Sequence, residues 1–492
     1  MAKKELFNHV LESPAPQSSA FKRSLNLFDS TAIVAGSMIG SGIFIVSADM
    51  SRTLGSPGWL LMAWVITGLL TIIGALSYGE LAAMMPHAGG KYVYLREAYN
   101  PLAGFLYGWT LFTVIQTGTI AAVAMAFAKF LGVLVPWFSE KHIWMDLGIV
   151  KLSTVHIAAI CVIVFLTWVN TNGIRIGKIV QNVFSYTKIG TLLVFIIIGL
   201  FVAKNTGAIE LNLKNFWDAS QIQGSGVISL AGFALIAALG TSLVGSLFSA
   251  DAWYDITFAA GEVENPKRNI PMSLLLGVSI VIVIYLLVNV VYLMVLPLHG
   301  NPEGKTVFEQ GIQFAANDRL GTAAMTGIFG EYAALIMAVL VMISTFGCVN
   351  GLVLAGARVY YAMANDGLFF KKVGSLNRKQ VPSWGLIVQG VWASLLCLTG
   401  TYSNLLDYVI FAALIFFAMT VTGIFLLRRK RPDVERPYRA FGYPVIPALY
   451  VISCIFIMGI LLVYKPKYTW PGLIIVCVGI PVYYTWKKIE KS

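Results

Sequence analysis

Long apolar runs alternate with short polar connections along the whole chain. The runs lie near residues 28–52, 58–84, 102–135, 155–170, 178–203, 227–258, 272–297, 334–365, 384–400, 404–427, 445–464 and 468–486. A helix needs about 20 apolar residues to cross the hydrocarbon core of a bilayer. Runs of that length without two-residue alternation predict membrane helices rather than strands. The expectation is an all-α polytopic membrane protein with 12 transmembrane helices. Two runs carry clustered small and polar residues in their middles. In span 1 the interruption is Gly36-Ser37-Met38-Ile39-Gly40-Ser41-Gly42-Ile43-Phe44, and in span 6 it extends from Gly240 to Trp253. Span 6 opens a second set of five spans, so the two interruptions occupy matching places in an inverted 5+5 repeat. Paired broken helices in such positions point to a transporter's midplane site. The chain then divides into an N-terminal tail (1–26), a first five-helix repeat (27–203), a second (227–427), and a basic loop with spans 11 and 12 and the C-terminus (428–492).

Composition narrows the class further. Of the 492 residues, 58% are hydrophobic and 12% charged, and the mean hydropathy is +0.77. Soluble domains carry about twice that share of charge. A soluble enzyme, a nucleic-acid-binding domain, a disordered chain and a disulfide-rich secreted module are thereby excluded. The formal net charge of +12 reports topology. Lys and Arg concentrate at the termini and on even-numbered connections, as in Lys91, Arg96, Lys267, Arg268 and Arg428–Arg431. The positive-inside rule then puts both termini in the cytoplasm of a multi-pass protein of the cell membrane. The N-terminus is polar to Ser24 and lacks an apolar core, so no cleavable signal is expected and span 1 serves as the targeting signal. All five cysteines, Cys161, Cys348, Cys397, Cys454 and Cys477, sit in apolar runs. They read as small core residues, and no disulfide-linked partner subunit is expected. The histidines show no ligand spacing, so neither a metal nor a cofactor is expected.

The Gly36/Gly40 spacing alone would suit close helix packing. It leaves unexplained the crowding of Ser37, Ser41 and Gly42, and the matching break in span 6 with an acid at Asp251. Unwinding a buried helix frees N–H groups at the start of one half and C=O groups at the end of the other. The N–H groups attract a carboxylate and the carbonyls accept from an ammonium. A free amino acid bears both groups on one carbon.

With these features the sequence resembles the amino acid–polyamine–organocation superfamily, nearest its L-type and cationic amino acid transporter branch. The resemblance runs from Leu27 to about Pro444. Its marks are Gly36–Phe44, Tyr78-Gly79-Glu80-Leu81 with Pro86-His87-Ala88-Gly89-Gly90-Lys91-Tyr92, Gly261–Pro271 and Leu426–Pro432. It implies a LeuT-type fold of ten core helices in two inverted halves plus two peripheral ones, with spans 1 and 6 discontinuous. By the same resemblance, Ser37, Met38, Ile39, Gly40, Ser41 and Gly42 hold the substrate carboxylate. Phe248, Ser249, Ala250 and Asp251 supply carbonyls to the amino group, and Phe248 closes over the substrate as an outer gate. The chain departs from the family at Ala250 and Ala252, where an aromatic and a glycine are usual. Ala252 makes unwinding harder than glycine would.

Lys188 lies deep in span 5, and an isolated intramembrane lysine is a functional residue by default. The resemblance implies that it replaces a sodium ion, bridging the break in span 1 to span 8 through Ser344 or Thr345. Of the other intramembrane charges, Lys129 is expected to snorkel, Arg358 to pair with Glu80 or Glu264 or to anchor at the interface, and Asp29 to start span 1. Asp251 admits two readings, an N-cap of the second half of span 6 or a substrate contact, with Lys188 or the substrate ammonium as its partner. The branch that exchanges cystine, dibasic and neutral amino acids has an acid at the matching spot. Taken together, these features predict sodium-independent transport of L-amino acids, neutral in side chain first and cationic second, by alternating access and as an exchanger. Proton-coupled symport and, further off, polyamine transport are the alternatives. The partners are a free amino acid and the lipid bilayer, with no nucleic acid and no enzymatic activity.

Overall fold

The computed structural model describes residues 23, 25–86, 89–146, 151–172, 174–202, 207–223, 226–379, 381–399 and 402–491, with the side chains of 174–183 and 489–491 outside the description. The expectations for the tail (1–22) and for His87 and Ala88 therefore lie outside the described residues. Each apolar run is built mainly of helix. Among the described residues, ten helices are long and apolar enough to cross a membrane. The first run falls short because it is split into α1 (Leu27–Met38) and α2 (Val46–Leu54), and the ninth because α14 (Ser383–Cys397) has only 15 residues. The remaining elements are α3 (Pro57–Met84), α4 (Lys91–Ala98), α5 (Pro101–Leu134), α6 (Thr154–Thr171), α7 (Ile174–Val202), α8 (Ala208–Lys214), α9 (Gly232–Ser249), α10 (Pro266–Val295), α11 (Val307–Gln310), α12 (Leu320–Phe329), α13 (Glu331–Asn365), α15 (Tyr402–Lys430), α16 (Val445–Tyr464) and α17 (Pro466–Lys491). Two antiparallel hairpins, Ile143–Asp146 with Lys151–Ser153 and Ser220–Gln223 with Gly226–Ser229, decorate one end.

Local chemistry sets the helix starts. Asn26 and Asp29 form a reciprocal capping box on α1, which satisfies two N–H groups and places an acid in the first turn. Ser56 and Asn100 cap α3 and α5, each followed by proline at the first helical position, where its missing N–H costs nothing. Gly55 ends α2 at φ +53°, a left-handed turn that suits glycine. Inside the bundle, α10 packs along α1 and α3, and α13 lies against α5 and α7. Outside, Trp168, Phe201 and Val463 are 63, 74 and 71% exposed, as expected of a face solvated by lipid tails. Cys161 and Cys477 belong to this exposed face, which corrects their reading as core residues; the other three cysteines are buried.

Three of the marked stretches, around Glu80, Glu264 and Arg428, lie at one end, here called the basic end. Glu80, 1% exposed, accepts a two-pronged bond from Arg428 (2.9 and 2.7 Å) and one from the Ala440 N–H (2.7 Å), with Arg436 at 3.5 Å. Arg358 pairs with Glu262 at 3.0 Å. This corrects the expectation that Glu80 or Glu264 would be its partner: Glu80 is taken up by the basic loop. Leu25 donates its N–H to the Glu262 carbonyl and its carbonyl accepts from the Glu264 N–H, a bridge on either side of Val263. The opposite end, here the loop end, has its own ion pairs. Arg52 binds Asp318 at 2.7 Å, Lys465 binds Asp407 at 2.9 Å, and Lys129 meets Glu140 at 3.2 Å. Lys129 is thus neutralised within the protein instead of snorkelling. The long connection 298–333 folds back here through α11 and α12, with Gly321 so close to Phe44 that a side chain there would displace the ring.

Candidate functional site

Both predicted breaks are present, and both are narrower than the sequence suggested. Span 1 leaves helical geometry at Ile39 and resumes as a short 3₁₀ turn at Gly42–Phe44. Ser37 and Met38 still belong to the last turn of α1. Span 6 is regular helix from Gly232 to Ser249, so most of the interrupted stretch expected after Gly240 is intact. The break itself is Ala250–Ala252, followed by a 3₁₀ segment over Trp253–Glu262. Ala252 takes φ +64°, a left-handed conformation that costs an L-residue roughly 1–2 kcal/mol. Asp251 is not the cap residue of the second half; Ala252 holds that position, without a side-chain cap bond.

The breaks touch. A Cβ on Gly42 would fall onto the side chain of Ser249, so only glycine allows this approach. The Tyr285 hydroxyl, on α10, is shared between the carbonyls of Met38 (2.9 Å) and Ser249 (3.1 Å). Tyr292 donates to Ile43 O at 3.2 Å. Ser41 shares a 3.1 Å bond with the Tyr402 hydroxyl, and Phe248 packs edge-on against the Tyr402 ring. Tyr402 was not singled out from the sequence, where it stands after a polar connection with no motif around it. It lines a depression that opens at the loop end between Asp49, Thr241, Asp318 and Asp407. Beyond α1, the N–H groups of Ser41 and Gly42 have no backbone acceptor among the described residues.

Lys188 is buried, with its Nζ 3.0 Å from the Gly36 carbonyl. That carbonyl lies in the last turn of α1, where a cation complements the helix dipole. The span 8 hydroxyls go elsewhere. Ser344 points to Gly40 O at 3.5 Å, and Thr345 bonds its own helix at Val341 O and Met342 O. Lys188 instead meets span 8 by packing at Gly347, where an added Cβ would touch its Cε. The bridge from span 5 to span 8 through Ser344 or Thr345 is therefore replaced by separate bonds from α7 and α13 to span 1.

Asp251 forms no ion pair with Lys188, whose Nζ is on the Gly36 carbonyl. It lines a cavity shared with Thr71 of α3, Phe417 of α15 and Tyr450 of α16, and the cation that acts on it is Lys91. Lys91 is fully buried; from the sequence it counted only as one of the basic charges on a cytoplasmic connection and as a letter of the Pro86–Tyr92 motif. Its Nζ sits 3.2 Å from the Tyr254 ring centroid and 3.9 Å from that of Phe417, with Tyr107 and Tyr78 at 5.6 and 5.8 Å. Burial pushes its pKa below the usual lysine value, while Asp251 and Asp255 pull it back up. Among the described residues there is no His/Cys/Asp/Glu group suited to a metal ion.

Comparison with known proteins agrees with this architecture. The family model described as "Amino acid permease" matches residues 25–483. The human b(0,+)-type amino acid transporter 1 is 28% identical over 94% of this chain and 87% of its own length. The human cystine/glutamate transporter is 28% identical over 97% and 88%. The rabbit large neutral amino acids transporter small subunit 2 is 30% identical over 94% and 80%. With two interrupted helices in contact at the centre of a helical membrane bundle, and matches that run nearly end to end, the chain belongs to the amino acid permease family and is a transporter, not an enzyme.

Proposed function

We propose that the protein exchanges L-amino acids with neutral side chains across the cell membrane by alternating access, without sodium. The substrate carboxylate lies at the turn Ser37–Gly42, on the free N–H groups of Ser41 and Gly42. Its ammonium lies at the carbonyls of Phe248–Asp251, and its side chain points toward the cavity lined by Asp251 and Phe417. Lys188 carries the sodium-independent reading. A fixed ammonium on the Gly36 carbonyl supplies the positive charge that a broken helix end needs. Gating consists of opening either the Glu80–Arg428 lock at the basic end or the Arg52–Asp318 contact at the loop end. The two repeats, 27–203 and 227–427, move around the fixed site, and the basic end with both termini faces the cytoplasm, as Lys and Arg placement supports. The rabbit relative is by name a small subunit. Here every cysteine lies within a helix, which favours a chain that works without a disulfide-linked partner.

The test is counterflow in proteoliposomes. External labelled amino acid should enter only when unlabelled amino acid is inside, and at an unchanged rate when choline replaces sodium. Uptake driven by a pH gradient into empty vesicles would instead establish symport.

A further inference from the structure

Two buried polar atoms near the break in span 6 lack hydrogen-bond partners: Lys91 Nζ and Asp251 Oδ1. One is a base and the other an acid, they form no direct ion pair, and they lie on either side of Phe417, whose ring is 3.9 Å from Lys91 Nζ and lines the cavity with Asp251. A second acid, Asp255, lies one turn further on, but Arg358 acts on it as well as Lys91. Lys91 is held by aromatic faces alone, an attraction that stabilises a cation without fixing its direction. Two of those faces, Tyr254 and Phe417, also pack against Trp253, and Trp253 and Phe417 line the cavity with Asp251. An isolated carboxylate in such a cavity attracts any cation that reaches it, because a buried charge requires a partner. The chain has built one in.

We propose that Lys91 sets the charge selectivity of the carrier, as the internal counter-ion of Asp251 that keeps the side-chain cavity neutral and excludes cationic side chains. The proposal rests on the substrate orientation given under Proposed function. With Lys91 present, a substrate ammonium on the side chain meets a pair whose charges already cancel. Without it, Asp251 is left to bind that ammonium. Without Asp251, Lys91 is left to bind a side-chain carboxylate.

Three substrates of nearly equal size test this: L-norleucine (neutral), L-lysine (cationic) and L-2-aminoadipate (anionic), each competing against labelled L-norleucine in counterflow. The wild type should prefer L-norleucine to L-lysine at least tenfold. Lys91→Met should narrow that preference at least tenfold, Lys91→Arg should keep it, and Lys91→Met with Asp251→Asn should restore it. Asp251→Asn alone should gain L-2-aminoadipate, which keeps the proposal testable if Lys91→Met does not fold. A wild-type preference in well-folded Lys91→Met, or no gain of L-2-aminoadipate in Asp251→Asn, would overturn the proposal. Wild-type protein that carries no L-norleucine at all would overturn the functional reading beneath it, a distinguishable failure.

Discussion

The two broken helices solve the same problem with different means. The break in span 1 is held by its neighbours: Lys188, Tyr285, Ser344 and Tyr292 reach the carbonyls of Gly36, Met38, Gly40 and Ile43. The break in span 6 receives one such bond, from Tyr285 to Ser249, and contains a left-handed alanine beside Asp251, whose Oδ1, like Lys91 Nζ, has no hydrogen-bond partner. Freed backbone groups in an apolar surrounding must find partners. Span 1 finds them in side chains, and in the proposed substrate orientation it is the rigid receptor for the invariant part of an amino acid. Span 6 has fewer such bonds, and in the same proposal the charge near it bears on the variable part.

This contrast can be broken most severely at Lys188. Lys188→Ala leaves the end of α1 without its cation, and losing a charge-assisted bond of roughly 1.5–3 kcal/mol should slow exchange about tenfold to a hundredfold with the protein still monodisperse. Wild-type exchange in that variant would show that span 1 does not need its charge. The contact between the breaks is tested by Gly42→Ala, whose methyl group must displace Ser249. Overpacking of about 1–3 kcal/mol should weaken substrate affinity about tenfold in competition assays, with part of it returned by adding Ser249→Gly. Tyr285→Phe removes one hydroxyl proton that serves two carbonyls in turn, so only about 1 kcal/mol is at stake. A roughly fivefold loss of affinity is expected, and an effect as large as that of Lys188→Ala would mean that Tyr285, not the lysine, organises both breaks. The smallest effect belongs to Ala252→Gly. Glycine relieves the left-handed strain but costs roughly 0.5–1 kcal/mol in chain entropy, so the melting temperature should rise by about 1 °C. A fall would place the strain elsewhere.

Much of this was legible in the chain itself. Apolar runs of membrane length, the acid Asp29 at the start of span 1, the glycines of Gly36–Gly42 and the solitary Lys188 each carry their meaning locally, because helix length, the helix dipole and the cost of a buried charge depend on few neighbours. The extent of the second break was not, since Gly240–Ser249 has the same small residues as the first and yet packs as regular helix. Pairings across the bundle were also hidden. Glu80 lies 348 residues from Arg428, and no local spacing distinguishes it from Glu262 as a partner for Arg358.

By itself, then, the sequence determined a helical membrane transporter with two interrupted helices and a lysine in its interior. The tertiary structure alone decided which charges are solvated and which are buried. Lys91 and Lys188 are each one lysine in a row of letters. One caps a broken helix and the other sits among four aromatic rings, because burial and partners are set by what the other helices bring to the same place.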